Sequence, residues 1–392
     1  MTATAPHLGR FDTDPERSFT LPAVYYWSDE IHRREVEAIF AKSWRFIGHQ
    51  TQIARAGDYL MQDICGQSVF VVRGRDGTLR GFHNVCRHRA HQLVAERRGK
   101  LKATITCPYH AWAYGLDGAL KSARMTDRVA GFDRAQFGLA PVAVEVFCGF
   151  VFVNLDMDAA PLAERAPGFE AMLRGHVPDL DRMVWTDQAD FDIAANWKVV
   201  AENSLDGYHV FLSGPAHRNL GELMDGHNLA MTNHRGWAML HAHAGTGDNR
   251  AYRYRTGGGQ TDEYITMFLW PDLLLFTLPG ANGLWSFLIA PEGPERTREE
   301  VAAYLPDGAA MDAATAEAVR YMNEELGPED VALNVGVQKG LRSRGYRQGR
   351  LMVDRRRSDM SEHAVHFVQA MVLEALGELP PGATKKLESP PA

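Results

Sequence analysis

Cys86-Arg87-His88 and Cys107-Pro108-Tyr109-His110 place two thiols and two imidazoles in two short loops, with eighteen residues between them. Thiolate is a soft ligand suited to iron–sulfur clusters and zinc, and imidazole brings less negative charge to a metal. Structural zinc sites of Cys₂His₂ type usually pair like with like, as Cys-x₂₋₄-Cys and His-x₃₋₅-His. Here each loop carries one Cys and one His, so each can hand its thiolate to one metal and its imidazole to a second. That pairing favours a [2Fe–2S] cluster with Cys₂ on one iron and His₂ on the other, whose reduction potential is raised by the imidazoles. A Cys₂His₂ zinc site is the alternative. A Cys86–Cys107 disulfide ranks below both, because four cysteines without a secretory signal fit a reduced cytosolic chain. Cys65 and Cys148 lack nearby partners in the sequence and are expected as core thiols.

The 392 residues suffice for two domains of ordinary size. With 45% hydrophobic and 23% charged residues the chain is globular, and a net charge of −7 gives no footprint for nucleic acid despite Arg355-Arg356-Arg357. The most apolar stretch, 264–290, is interrupted by Pro271, Asp272, Pro279 and Gly280, short of a membrane span. Residues 1–10 lack the apolar core of a signal peptide. The expected location is the cytoplasm.

Ser28 with Asp29 and Glu30 predicts a helix start, continuing to about Trp44. From there to about Leu155 the pattern is short strands and turns: 68–73 closed by Asp76-Gly77, a hairpin at Asp117-Gly118, and a strand pair around Cys148-Gly149. A helix is predicted from Asn196 to about Phe211, strands over 228–243 and 262–290, and helices over 311–342 and 361–378, the last with Ser361 as cap. Asp248 to Gln260 is expected as a loop, and 379–392 as a disordered tail. On a continuous helix Glu202, Asp206 and His209 fall within roughly 60° of one another, a stripe that metal binding would satisfy.

Asn84-Val85-Cys86-Arg87-His88-Arg89 with Cys107-Pro108-Tyr109-His110-Ala111-Trp112 resembles the Rieske domain of the Rieske non-heme iron oxygenases. Asn196-Trp197-Lys198 with Glu202 to Val210 resembles the iron-site helix of the ring-hydroxylating dioxygenase α subunits, Asp-Gly-Tyr-His-Val being closest to the benzoate and anthranilate group. The resemblance implies an α+β protein: an all-β Rieske domain over 44–155 and an α+β catalytic domain over 156–378, its antiparallel sheet flanked by helices. Residues 1–43 would pack on the catalytic domain.

Cys86, His88, Cys107 and His110 would hold the cluster. His209, His217 and a later carboxylate, Asp330, would hold Fe(II) as the two-histidine, one-carboxylate triad. The family usually leaves four residues between the histidines. Here seven intervene, with Gly214-Pro215 among them, so His234, His241 and His243 compete with His217. Glu324, Glu325 and Glu329 are expected on a solvated helix face. Asp206 would link His209 to His88 or His110 of a neighbouring subunit, or orient His209 alone, and Asn203 would lie near the iron. Pocket candidates are Phe211, Leu212, Met224, Trp237, Met239, Phe268, Leu274, Phe276 and Trp285.

The activity implied is a terminal oxygenase. It would use O₂ and electrons from a separate NAD(P)H-dependent reductase, with or without a ferredoxin, because no dinucleotide fingerprint follows a strand. It would hydroxylate an aromatic compound, with aromatic carboxylates among the candidates, as a homotrimer or with a small β subunit. The alternatives are a monooxygenase or demethylase of a quaternary ammonium or methoxy compound, and an electron carrier or binding module without a working iron site.

Overall fold

The computed structural model describes residues 8–224, 230–245, 248–254, 262–356 and 361–389. The described chain forms two compact units, Phe40–Leu162 and the remainder. Arg357, half of the expected 248–260 loop and the end of the tail lie outside the described residues.

Helix α1 (Asp29–Glu35) starts where Ser28 Oγ accepts from Ile31 N. It does not run to Trp44. A widened turn over Val36–Phe40 ends it, which buries Ile39 and Phe40. Trp44 instead donates its indole N–H to Ala160 O at 2.8 Å.

The first unit is all-β. Its strands are β1 (Arg45–His49), β2 (Asp58–Ile64), β3 (Gln67–Arg73), β4 (Leu79–His83), β5 (Arg98–Lys100), β6 (Thr104–Thr106), β7 (Ala113–Gly115), β8 (Leu120–Ser122), β9 (Pro141–Phe147) and β10 (Phe150–Asn154). Seven form one antiparallel sheet in the order β1-β10-β9-β4-β3-β2-β5, and β6-β7-β8 form a second. β9 and β10 turn through Cys148 and Gly149, both at positive φ, so Cys148 occupies a tight turn as well as the core. The core beneath the short sheet includes Phe70, Ile105, Trp112 and Tyr114 together with Cys86 and Cys107.

The second unit continues through α2 (Leu162–Arg165), α3 (Phe169–His176) and the eleven-residue β11 (Met183–Ile193). Three helices follow: α4 (Trp197–Asn203), α5 (Gly207–Val210) and α6 (Pro215–Leu223). Then come β12 (Ala230–His234), β13 (Trp237–His243), β14 (Glu263–Leu269), β15 (Leu273–Thr277), β16 (Leu284–Gly293) and β17 (Arg296–Pro306), and finally α7 (Ala313–Tyr321), α8 (Gly327–Leu341) and α9 (His363–Ala375). The seven strands make one antiparallel sheet ordered β11-β17-β16-β15-β14-β13-β12. The fold class is α+β. No helix among the described residues is long and apolar enough to cross a membrane.

The predicted continuous helix 196–211 is two helices. Asp206 has an extended backbone and accepts from Tyr208 N at 2.7 Å, so it caps α5 rather than continuing α4. The expected stripe therefore breaks: Glu202 accepts instead from Tyr26 Oη at 2.8 Å. Ser361 accepts from Asp354 N and contacts His363 Nδ1, leaving Glu362 at the cap position of α9. The tail is ordered through Ser389, because Glu374 accepts from Gly382 N and Thr384 N, and Ser389 N donates to Asn233 O.

One buried ion pair joins α1 to α4. Lys198 Nζ lies 2.6 Å from Glu35 Oε1, and Trp197 Nε1 donates to Glu35 Oε2 at 2.9 Å, with the Lys198 and Glu35 side chains 0% exposed. Burial lowers the Lys198 pKa, and Glu35 acts against that shift. Breaking such a pair leaves one charge uncompensated, at a cost of about 3–5 kcal/mol. Glu35→Ala should therefore lower stability by about that amount, read as a fall in thermal or denaturant midpoint.

Candidate metal centres

The two Cys/His loops share one backbone plan. In the first, Cys86 N donates to His91 O and Ala90 N to Cys86 O; in the second, Cys107 N donates to Trp112 O and Ala111 N to Cys107 O. Each loop turns through an alanine at positive φ, Ala90 at 58° and Ala111 at 55°. Cys86 and Cys107 are 3% and 2% exposed, while His88 and His110 are exposed, their rings 4.6 Å apart. Thiols thus pair on the inside and imidazoles on the outside.

All four cysteines are free. Among the described residues, the groups whose donor atoms all lie within 4.8 Å of one another do not include the Cys86, His88, Cys107 and His110 set. One zinc needs all four donors about it, whereas a two-iron cluster takes a thiolate pair at one end and an imidazole pair at the other. The residues fit the cluster. Tyr114 Oη accepts from Arg87 N at 3.0 Å and lies 3.2 Å from Cys86 Sγ, a contact that bears on a cluster's potential. Trp112 stacks on His88 at 4.9 Å.

The other centre gathers three segments. His209 on α5 and His217 on α6 have ring centroids 4.7 Å apart. Asp330 Oδ1 on α8 lies 3.0 Å from His217 Nε2 and 3.7 Å from His209 Nε2. Their donor atoms fall within 4.8 Å of one another. The long spacing between the histidines is absorbed by a turn: Gly214 and Pro215 open α6, which turns His217 back toward His209. A Cβ at Gly214 would lie 2.3 Å from the Glu329 carboxylate. Glu329 is not on a solvated face. It lies 2.6 Å from His217 Nδ1 and accepts from Ala216 N and His217 N. Glu324 and Glu325 do face outward, each near Arg320.

Asp206 Oδ2 lies 3.2 Å from His209 Nδ1, and Asn203 Nδ2 lies 3.3 Å from His209 Nε2. Both imidazoles therefore have a carboxylate on Nδ1 and turn Nε2 toward Asp330, the arrangement in which an outer carboxylate fixes the tautomer of a metal-ligating histidine. Burial alone would lower the His209 pKa, but Asp206 and Asp330 outweigh it and hold it at about 9. His217 is likewise raised, by Asp330 and Glu329 against burial. Burial would raise Asp330, and the two imidazoles hold it below the usual carboxylate range. Three carboxylates around two imidazoles make a site of negative potential, suited to a divalent cation.

The other candidate histidines lie elsewhere. His234 stacks on Trp237 at 3.9 Å, and His241 and His243 cluster at Glu263. The cavity beside Asp330 is lined by Phe211, Met224, Leu274 and Phe276 from the expected set, and by Leu240, Tyr264, Thr266 and Phe287, which strand periodicity alone did not single out. Leu212 is exposed. Trp237 packs on Phe169, and Met239 shares the Trp237 face of β13. Trp285 lines a separate cleft beside Asp187 and Met322, and Phe268 is core. No Lys or Arg lines the cavity among the described residues.

Residues 43–133 match the Rieske [2Fe–2S] domain, and residues 180–378 match the ring hydroxylating alpha subunit (catalytic domain). The carnitine monooxygenase oxygenase subunit of Escherichia coli K12 is 36% identical over 360 residues, 91% of this chain and 94% of its own length. That of Acinetobacter baumannii is 33% identical over 366 residues, 93% of this chain and 96% of its own. A solved quaternary ammonium Rieske monooxygenase is similar over 95% of this chain and 100% of its own, with a TM-score of 0.88 at 32% identity. Naphthalene 1,2-dioxygenase from a Rhodococcus species, at 20% identity and a TM-score of 0.77, shares the fold. The chain belongs to the Rieske non-heme iron oxygenase α-subunit family, oxidoreductases that carry a Rieske [2Fe–2S] cluster and a mononuclear iron and use O₂.

Proposed function

We propose that this chain is the oxygenase component of a monooxygenase acting on a quaternary ammonium compound. The observation that carries this reading is the cavity wall beside Asp330. It presents Phe211, Tyr264, Phe276 and Phe287 together with the carboxylates of Asp206 and Asp330, and no Lys or Arg among the described residues. Aromatic faces attract a fixed cation by about 0.5–2 kcal/mol, whereas an aromatic carboxylate calls for a buried Arg or Lys. The relatives that share a third of the sequence over nearly their whole length are named for carnitine or quaternary ammonium oxidation. The expected aromatic substrate gives way to this alternative.

His209, His217 and Asp330 would hold the mononuclear iron, and Cys86, Cys107, His88 and His110 the cluster. The iron supplies O₂ activation, and the cluster supplies electrons one at a time. The chain's own residues do the rest. Glu329 and Asp206 fix the imidazole tautomers. The cavity wall positions the ammonium head and excludes bulk water. Electrons come from an NAD(P)H-dependent reductase, directly or through a ferredoxin. A trimer in which Asp206 faces a cluster histidine of the neighbouring copy would give them a path to the iron. Asp206 is suited to both roles because one oxygen caps α5 while the other meets His209.

Four measurements test these statements. Oxygen uptake with a reductase should be coupled to L-carnitine, γ-butyrobetaine, choline or glycine betaine and not to benzoate or anthranilate. Replacing the ammonium nitrogen by carbon should raise KM roughly tenfold; uptake coupled to benzoate alone would overturn the substrate class. His217→Ala should lose the mononuclear iron and turnover while keeping cluster iron and sulfide, and retention of that iron would refute the ligand assignment. Asp206→Ala should keep both metals yet slow electron arrival at the iron in single-turnover experiments. Unchanged turnover would rule out the bridging role.

A further inference from the structure

Three imidazoles converge on one carboxylate on the opposite face of the catalytic sheet. In the β13–β14 register His243 pairs with Glu263 and His241 with Ile265, while Ala242 pairs with Tyr264 and Leu240 with Thr266. Side chains alternate across a strand. Leu240, Tyr264 and Thr266 face the cavity, so His241, His243 and Glu263 leave the sheet on the other side. The third imidazole, His176, is the last residue of α3.

The distances are those of a donor cluster. His176 Nδ1 is 2.6 Å from Glu263 Oε2, His241 Nε2 is 3.1 Å from Glu263 Oε1, and His243 Nδ1 is 3.6 Å from the same oxygen. The His241 ring lies 5.0 Å from each of the other two. His176, His241 and Glu263 each offer a ligand atom within 4.8 Å of the others, and among the described residues the one other set that does so is the His209, His217 and Asp330 triad. His241 Nε2 is buried and makes no hydrogen bond of acceptable geometry, although it points into the cluster.

We propose that His176, His241 and Glu263 form a second metal site for a divalent ion of the zinc type, with the exposed His243, which lies outside that 4.8 Å set, turning in as a fourth donor. Imidazole and carboxylate donors suit zinc. With His243 turned in, four protein donors would close the coordination sphere, as in structural sites, in contrast to a triad that leaves positions open. The ion ties the end of α3 to β13 and β14. The opposite faces of those two strands carry Leu240, Tyr264 and Thr266, so occupancy braces the cavity wall from behind. The site is independent of the substrate reading above.

The test titrates Zn²⁺ into holoenzyme with both iron centres filled, removes free metal, and counts zinc, iron and sulfide per chain. One zinc per chain with unchanged iron and sulfide is expected, and X-ray absorption at the zinc edge should show a nitrogen- and oxygen-only shell with imidazole scattering. Glu263→Gln, and separately the half-exposed His243→Ala, which keeps the sheet intact, should weaken zinc binding. His176→Ala with His243→Ala should weaken it more than about 100-fold, beyond the 10–100-fold typical of losing an outer hydrogen-bond partner. No retained zinc, equal retention by all variants, or zinc gained at the expense of one iron would each overturn the proposal. The last outcome would mean that the ion had entered the Asp330 triad.

Discussion

One carboxylate oxygen shared by two imidazoles sets the geometry of the catalytic unit. Asp330 Oδ1 can face both His217 and His209 only if α5, α6 and α8 approach one another with their polar groups already matched. Each imidazole is fixed from its far nitrogen, His209 by Asp206 and His217 by Glu329. Those anchors are also backbone devices: Asp206 caps α5, and Glu329 accepts the first free N–H groups of α6. The residues that orient the ligands thus also hold the short helices that carry them. Behind them the Lys198–Glu35 pair fixes α4 against α1 at a depth where neither charge tolerates the loss of the other.

What was legible in the sequence follows the range of the interaction. The cluster loops were legible because Cys-x-His and Cys-x-x-His are local spacings whose chemistry is read within four residues. The turns at Asp76-Gly77, Asp117-Gly118 and Cys148-Gly149 were legible for the same reason. The break at Asp206 was not, because an aspartate followed by glycine can sit inside a helical pattern or cap a new helix, and contacts outside the segment decide. Glu329 looked like one more solvated helix charge until the chain brought α6 to it. The long strands β11 and β17 carry alternating charges, paired across the sheet as Asp190 with Arg298 and Asp192 with Arg296, and hide the sheet they belong to.

The substrate class was the least legible. The cavity wall draws single residues from β13, β14, β15 and β16 and from the helices, so no local pattern announces it. Charge balance, visible only after assembly, tips the reading from a carboxylate toward a cation. The same sheet separates two clusters of similar composition, two histidines and a carboxylate on each face. They differ in what surrounds them: one opens on an aromatic cavity, while the other has a further histidine beside it.

The paired cluster loops divide the work between backbone and side chain. Each loop is closed by backbone hydrogen bonds and an alanine held in a left-handed conformation that glycine would occupy more readily. None of those bonds uses a sulfur or an imidazole nitrogen. The backbone that presents the four ligands is therefore held by peptide–peptide bonds, separate from the side chains that would bind the cluster. A change at one ligand side chain would leave the loop's backbone bonds in place.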